Sequence, residues 1–144
     1  MLYLPSHIQE QLAVDAVRTY PDECCGFLLG TEQSHARTVT EIIAVHNARE
    51  GDKRRRYEIH PDDYRRAEKY ADVKGLQLLG IYHSHPDHPS VPSEQDRAVA
   101  FPYFSYVILS VRQGEVVSVQ SWRLNDNRHF DEEPVIHVTD FILT

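Results

Sequence analysis

The stretch QLLGIYHSHPDHPSVPSEQD (77–96) decides how this chain is read. QLLGIY is a short apolar run, long enough for a buried strand and too short for a helix. Side chains at i and i+2 of a strand share a face. His83 and His85, where this run ends, therefore present converging imidazoles, while Ser84 points the other way. Pro86 then breaks the strand and turns the chain. Ser93 with Asp96 three residues later resembles a helix start. A loop of about ten residues is long enough to bring that first helical turn, with Asp96, back to the strand end.

Working outward, the remaining segments alternate between the two periods. Ser6 with Gln9 reads as a capping box. Ile8, Leu12, Ala13 and Ala16 follow at helical spacing, and Pro21 stops the run after Tyr20. GFLLG (26–30) and RTVTEIIAV (37–45) read as strands around the polar turn TEQSHA. Residues 46–56 are polar and basic, a loop, and YEI (57–59) is a short strand candidate. Pro61, Asp62 and Asp63 open a helix with Tyr64, Ala67, Tyr70 and Ala71 on one side, and Gly75 is placed to end it. SYVILSV (105–111) and VVSVQSWRL (116–124) form a hairpin around RQGE. The tail from Asn125 is weakly patterned, with PVIHV (134–138) as a possible edge strand. Strands separated by helices make this a mixed α/β chain. No repeat, low-complexity tract or Gly/Ser linker divides its 144 residues, so a single domain over 1–144 is expected, with 125–144 as a weakly patterned extension.

Composition narrows the function classes. The net charge of −7 provides no general field for nucleic acid or an anionic membrane. Its two cysteines, Cys24 and Cys25, are adjacent. They form neither a disulfide framework nor a spaced C-x-x-C zinc site. No apolar run reaches the length of a membrane span and the N-terminus lacks a signal-peptide pattern, so the cytoplasm is the default expectation.

Two imidazoles and one carboxylate are three ligands, and zinc held by three protein ligands keeps a fourth position for water. Such a centre lowers the pKa of water and polarises a carbonyl. It also needs a proton shuttle that is not a ligand, for which composition leaves Glu23, Glu94 and Asp87 open. His88 as a fourth ligand would close the reactive position.

H-S-H-P, six residues, then S-x-x-D resembles the signature of the JAMM (MPN+) metalloproteases. PDECCGFLLG (21–30) resembles the segment carrying that family's catalytic glutamate, with Glu23 at its position. RYEIHPDDY, LLGIYHSHPDHP, PSEQD, YFSYVILSV and SWRL are similar to the small bacterial members that act on ubiquitin-like sulfur-carrier proteins. The likeness runs from about Ser6 to Leu124. It implies a three-layer α/β/α fold related to the cytidine deaminases, with a mixed central sheet and flanking helices. The deaminase P-C-x-x-C segment is missing. It further implies one zinc per chain on His83, His85 and Asp96. Glu23 is then the base that passes a proton to the leaving amine, and Ser93 the donor to the oxyanion. The implied reaction is hydrolysis of a peptide or isopeptide bond after the Gly-Gly tail of a sulfur carrier. Such a tail suits extended binding beside an exposed strand. Two alternatives stand beside it. One is a deubiquitinase-like isopeptidase acting on lysine-linked conjugates, and the other a module that holds such tails without cutting them.

Other residues have plainer readings. Ser93 also suits an N-cap. Asp87 and Glu94 suit solvated positions, and Cys25 a small core side chain, while Cys24 is less settled beside Glu23. Trp122 belongs to the core or an interface. His7, His35, His46, His60, His129 and His137 are expected at the surface. The basic run Lys53–Arg56 is a solvated loop or a docking edge for an acidic partner, and it is too short to mark a nucleic-acid site.

Overall fold

GFLLG and QLLGIY are apolar on both faces because both faces of the sheet they build are covered. In the computed structural model, which describes residues 1–139, they lie in β2 (Cys25–Gln33) and β4 (Gln77–Pro86), paired antiparallel at the centre of the sheet. β3 (Ala36–Val45) joins β2 through a tight turn at Ser34 and His35, both with positive φ. β5 (Ser105–Arg112) runs parallel to β4, and β6 (Glu115–Leu124) returns beside it through Gln113–Gly114. β1 (Leu2–Pro5), β7 (Phe130–Glu133) and β8 (Val135–Val138) complete an 8-stranded mixed sheet in the order β7-β6-β5-β4-β2-β3-β1-β8.

Helices cover both faces. α1 (Ser6–Thr19) sets Ile8, Leu12 and Ala16 against Leu28, Leu79, Tyr82, Val107 and Leu109. α2 (Pro61–Lys74) sets Ala67 and Ala71 against Phe27, Leu29 and Ile81 on the opposite face. The expected three layers, helix on sheet on helix, are present. α2 starts as its sequence requires. His60 Nδ1 accepts the Asp62 N–H, Pro61 opens the first turn, and Gly75 closes the helix at φ 69° in the left-handed region. Gly80 answers a different need. A Cβ there would sit 1.9 Å from the Ser105 carbonyl oxygen, so only glycine lets β5 start this close to β4.

Four expectations change. LYLP is a strand (β1) that runs straight into α1, so the N-cap is Pro5 and the Ser6/Gln9 capping box does not form. Ser6 Oγ instead donates to the Val138 carbonyl (3.0 Å) and Gln9 Nε2 to the Leu4 carbonyl (2.7 Å). YEI is not a strand. Glu58 there meets one backbone group and one side chain, its carbonyl accepting the Ala48 N–H (2.9 Å) and its N–H donating to Asn47 Oδ1 (3.1 Å). β4 carries through both histidines to Pro86. The weakly patterned tail supplies two strands, β7 and the expected edge strand β8, which pairs parallel with β1; Asp140 to Thr144 lie outside the described residues. Among the described residues no helix is long and apolar enough to cross a membrane.

Candidate metal centre

Antiparallel pairing of β2 with β4 sets Cys25 opposite His83, so Glu23, two residues upstream, arrives beside the C-terminal end of β4. Its peptide is clamped on every side. Glu23 N–H donates to the Lys53 carbonyl (2.8 Å), and Asn47 Nδ2 donates to the Glu23 carbonyl (3.2 Å). Ser84, on the face away from the histidines as its position requires, accepts the Cys24 N–H at Oγ (2.8 Å).

α3 (Glu94–Val99) brings in the carboxylate. Its N-terminus carries a reciprocal capping box. Ser93 Oγ accepts the Asp96 N–H (3.0 Å), and Asp96 Oδ2 accepts the Ser93 N–H (2.9 Å). That places Asp96 Oδ2 at 3.2 Å from His83 Nε2 and 3.1 Å from His85 Nε2, with the two imidazole nitrogens 3.2 Å apart. His85 Nδ1 donates to the Pro89 carbonyl (2.8 Å). Its Nε2 is then left as a lone-pair acceptor facing a carboxylate. His83 stacks on Tyr57, centroids 4.5 Å apart, and is wholly buried.

Two ring nitrogens and a carboxylate oxygen this close to one another are held together by a shared proton or by a cation. A tetrahedral ion with bonds of about 2.0 Å spaces its ligands about 3.3 Å apart, close to the triangle seen here. The donor set thus fits zinc. Glu23, His83 and His85 also each offer a ligand atom within 4.8 Å of one another. The Asp96 triangle is the tighter set, and it leaves Glu23 beside the centre. Glu23 Oε1 is buried without a hydrogen-bond partner. Burial, then the charges of Asp96 and Asp52, push its carboxyl up to about 9. Burial also raises Asp96, but the two imidazoles and the Ser93 N–H outweigh it, and its carboxyl is held well below the usual range.

The centre opens into a groove of ≈ 530 Å³ lined by Glu23, Arg54, Arg55, His85, His88 and Ser93, among others. The structure therefore brings His83, His85, Asp96, Glu23 and Ser93 to one place. His88, Asp87 and Glu94 are exposed, and none enters the triangle. Cys24 and Cys25 are free and buried. Burial first of all raises both thiols, that of Cys24 to about 12, which suits packing rather than nucleophilic attack. Trp122 is half-buried and donates from Nε1 to the Ser90 carbonyl (3.0 Å), bracing the loop between β4 and α3. The six remaining histidines are exposed.

Sequence reasoning missed two supporting residues. Tyr57 lies within RYEIHPDDY, a segment that carries the resemblance but no assigned role for this residue, and only the fold shows it stacked on His83. Asn47 is buried and holds both sides of the loop, donating to the Glu23 and Arg56 carbonyls and accepting the Arg49 and Glu58 N–H groups. An asparagine in a polar stretch gives no local sign of such a role.

The family model for prokaryotic homologs of the JAB domain matches residues 5–125. The chain is 38% identical over 106 residues to a desampylase of Haloferax volcanii, covering 73% of this chain and 71% of that one. It is 32% identical over 108 residues to a probable TtuB-protein conjugate cleaving protease of Thermus thermophilus, covering 75% and 69%. A solution structure of a protein from Desulfitobacterium hafniense superposes with a TM-score of 0.85 at 28% identity, covering 96% of this chain and 94% of that one.

Proposed function

The chain belongs to the prokaryotic JAB family of JAMM hydrolases, and on that premise we propose that it is a zinc-dependent protease cutting after the C-terminal Gly-Gly of a ubiquitin-like sulfur carrier. The observation that carries the reading is the triangle of His83 Nε2, His85 Nε2 and Asp96 Oδ2 with an unpartnered, buried carboxyl beside it. Relatives named for desampylation and for cleaving TtuB–protein conjugates support a substrate of the ubiquitin-like class.

His83, His85 and Asp96 would hold the metal, which when bound supplies Lewis acidity toward water and the scissile carbonyl near neutral pH. Glu23 takes a proton from the attacking water and returns it to the leaving amine. One C–O bond forms, one C–N bond breaks, and no covalent enzyme intermediate is required. Ser93 spends only its oxygen lone pair on the Asp96 N–H, so its hydroxyl hydrogen remains for the oxyanion. The Ser93 N–H holds the ligating carboxylate of Asp96 in register. Glycines at the scissile position let the substrate backbone pass the groove without side-chain bulk.

The names of both curated relatives also favour a second reading, cleavage of isopeptide bonds in lysine-linked conjugates. Intact mass spectrometry separates the two. Zinc-loaded protein is incubated in parallel with a Gly-Gly carrier bearing a short C-terminal extension and with the same carrier joined to a lysine side chain. Loss of the extension supports the first reading. Release of the lysine partner with the extended carrier untouched supports the second. A carrier left intact in both arms, with zinc bound, overturns the proteolytic reading.

A further inference from the structure

The run Lys53–Arg56 is four consecutive basic residues in a chain of net charge −7, and the proton path does not use it. Its backbone is fixed. Lys53 accepts the Glu23 N–H at 2.8 Å, and Arg56 accepts Asn47 Nδ2 at 3.1 Å. Between them the Arg54 N–H donates to Asp52 Oδ1 at 3.0 Å. The guanidiniums are largely uncommitted. Arg54 has no ion-pair partner among the described residues, and Arg55 reaches Asp52 only at 4.0 Å with its side chain 79% exposed. Both arginines line the groove over the metal centre. Both also line an adjoining groove of ≈ 440 Å³ with Tyr20, Asp87 and His88, in which Asp87 is already engaged by the Tyr20 hydroxyl at 2.7 Å. They stand where one groove passes into the other.

Chemistry decides which half of a substrate they meet. The residue that hands a proton to the leaving amine must lie on the leaving side of the scissile bond. That residue is Glu23, and its own N–H is tied to Lys53, next to the arginine pair. We propose that Arg54 and Arg55 form a carboxylate-binding subsite on the leaving-group side. It selects carriers whose short extension ends close enough to place its carboxylate there. This rests on the proteolytic reading above. Guanidinium pairs suit carboxylates through their paired N–H geometry. Within an acidic chain, a local pair of this kind offsets repulsion of an anionic chain end. A terminal α-carboxylate and an acidic side chain in the leaving segment offer the same chemistry, so the test separates them.

The experiment measures kcat/KM of the zinc-loaded full chain on three semisynthetic carriers. The first has a two-residue extension ending in a free acid, the second the same extension ending in an amide, and the third an amidated extension with aspartate in second place. The free acid is expected to be cut about three- to fivefold faster than the amide, mostly through KM, with the advantage shrinking as salt rises. In the double variant Arg54→Gln, Arg55→Gln the advantage falls to near unity, while zinc content and the rate on the amide stay as in the wild type. Rescue by aspartate in the amidated carrier assigns the site to carboxylates in general, and lack of rescue assigns it to the chain end. Equal rates on acid and amide in the wild type overturn the subsite alone. So does a double variant that loses both rates together. No cleavage of any carrier with zinc bound overturns the proteolytic reading and the subsite with it.

Discussion

At the scale of single residues, the centre rests on a contrast between two buried carboxyls. Asp96 faces two imidazoles and a backbone N–H, which keep it ionised. Glu23 Oε1 faces no donor, and with no cation bound burial favours the protonated carboxyl. The contrast has a consequence for the metal-free protein. Folded Glu23 holds its proton up to about 9, against an ordinary value of 4.5. Between those limits the folded chain binds one more proton than the unfolded chain. The contribution is therefore fully present below about 4.5 and is lost as pH rises toward 9, reaching on the order of 3 kcal/mol at pH 7. Asp96 works in the opposite sense, but only in acid, as pH falls below its ordinary range. Urea unfolding in the presence of a chelator should show stability declining from pH 5 to pH 8 in the wild type. The decline should be much shallower in Glu23→Gln. Parallel declines would refute the assignment of that buried proton to Glu23. The i, i+2 pair on an apolar run makes the convergence of His83 and His85 legible in the sequence, and the S-x-x-D spacing adds Asp96. Tyr57 and Asn47 are not legible, because their contacts reach across 26 and 24 residues to His83 and Glu23.

At the scale of elements, the loop from His46 to His60 matters most. It has no helix or strand of its own, yet it carries the arginine pair and both anchors of the Glu23 peptide, the Lys53 carbonyl and the Asn47 side chain. Asn47 holds it with four hydrogen bonds. Asn47→Ala leaves two carbonyls and two N–H groups to find water, at a cost of about 2–3 kcal/mol. The expected result is a melting point several degrees lower, zinc content retained and kcat reduced, because Glu23 loses one of its two backbone anchors. Unchanged kcat would show that the loop does not position the base. The strands that sequence missed, β1 and β7, are each four residues long. LYLP is too short to show a period, and FDEE is too polar to read as a strand. Sheet partners form them where local propensity does not. YEI fails for the converse reason, since its propensity suits a strand but its contacts to the chain beside it are a single backbone bond from Ala48 and the Asn47 side chain.

At the scale of the whole molecule, His83, His85 and Asp96, the ligands proposed for zinc, lie outside the two hydrophobic clusters of the sheet. The fold should therefore survive loss of zinc, unlike small domains that fold only around their metal. Chelation is expected to abolish cleavage, keep the far-ultraviolet circular dichroism spectrum and lower the melting point by an amount that depends on free zinc. Global unfolding on chelation would mean that the metal is structural. The alternation of periods along the chain made the α/β architecture legible from sequence. The order of the outer strands was not, because β1 joins β3 and β8 through pairings set by the whole sheet.

Zinc on His83, His85 and Asp96, with Glu23 outside the ligand set as the proton carrier, makes metal content and turnover separable by mutation. Native mass spectrometry of Glu23→Gln, mixed with an extended Gly-Gly carrier, reads metal content and cleavage in one spectrum. The expected spectrum shows one zinc per chain and an intact carrier, with the wild type cutting the same carrier and His85→Ala carrying no zinc. A Glu23→Gln protein that had lost its metal, or that still trimmed the carrier, would contradict it.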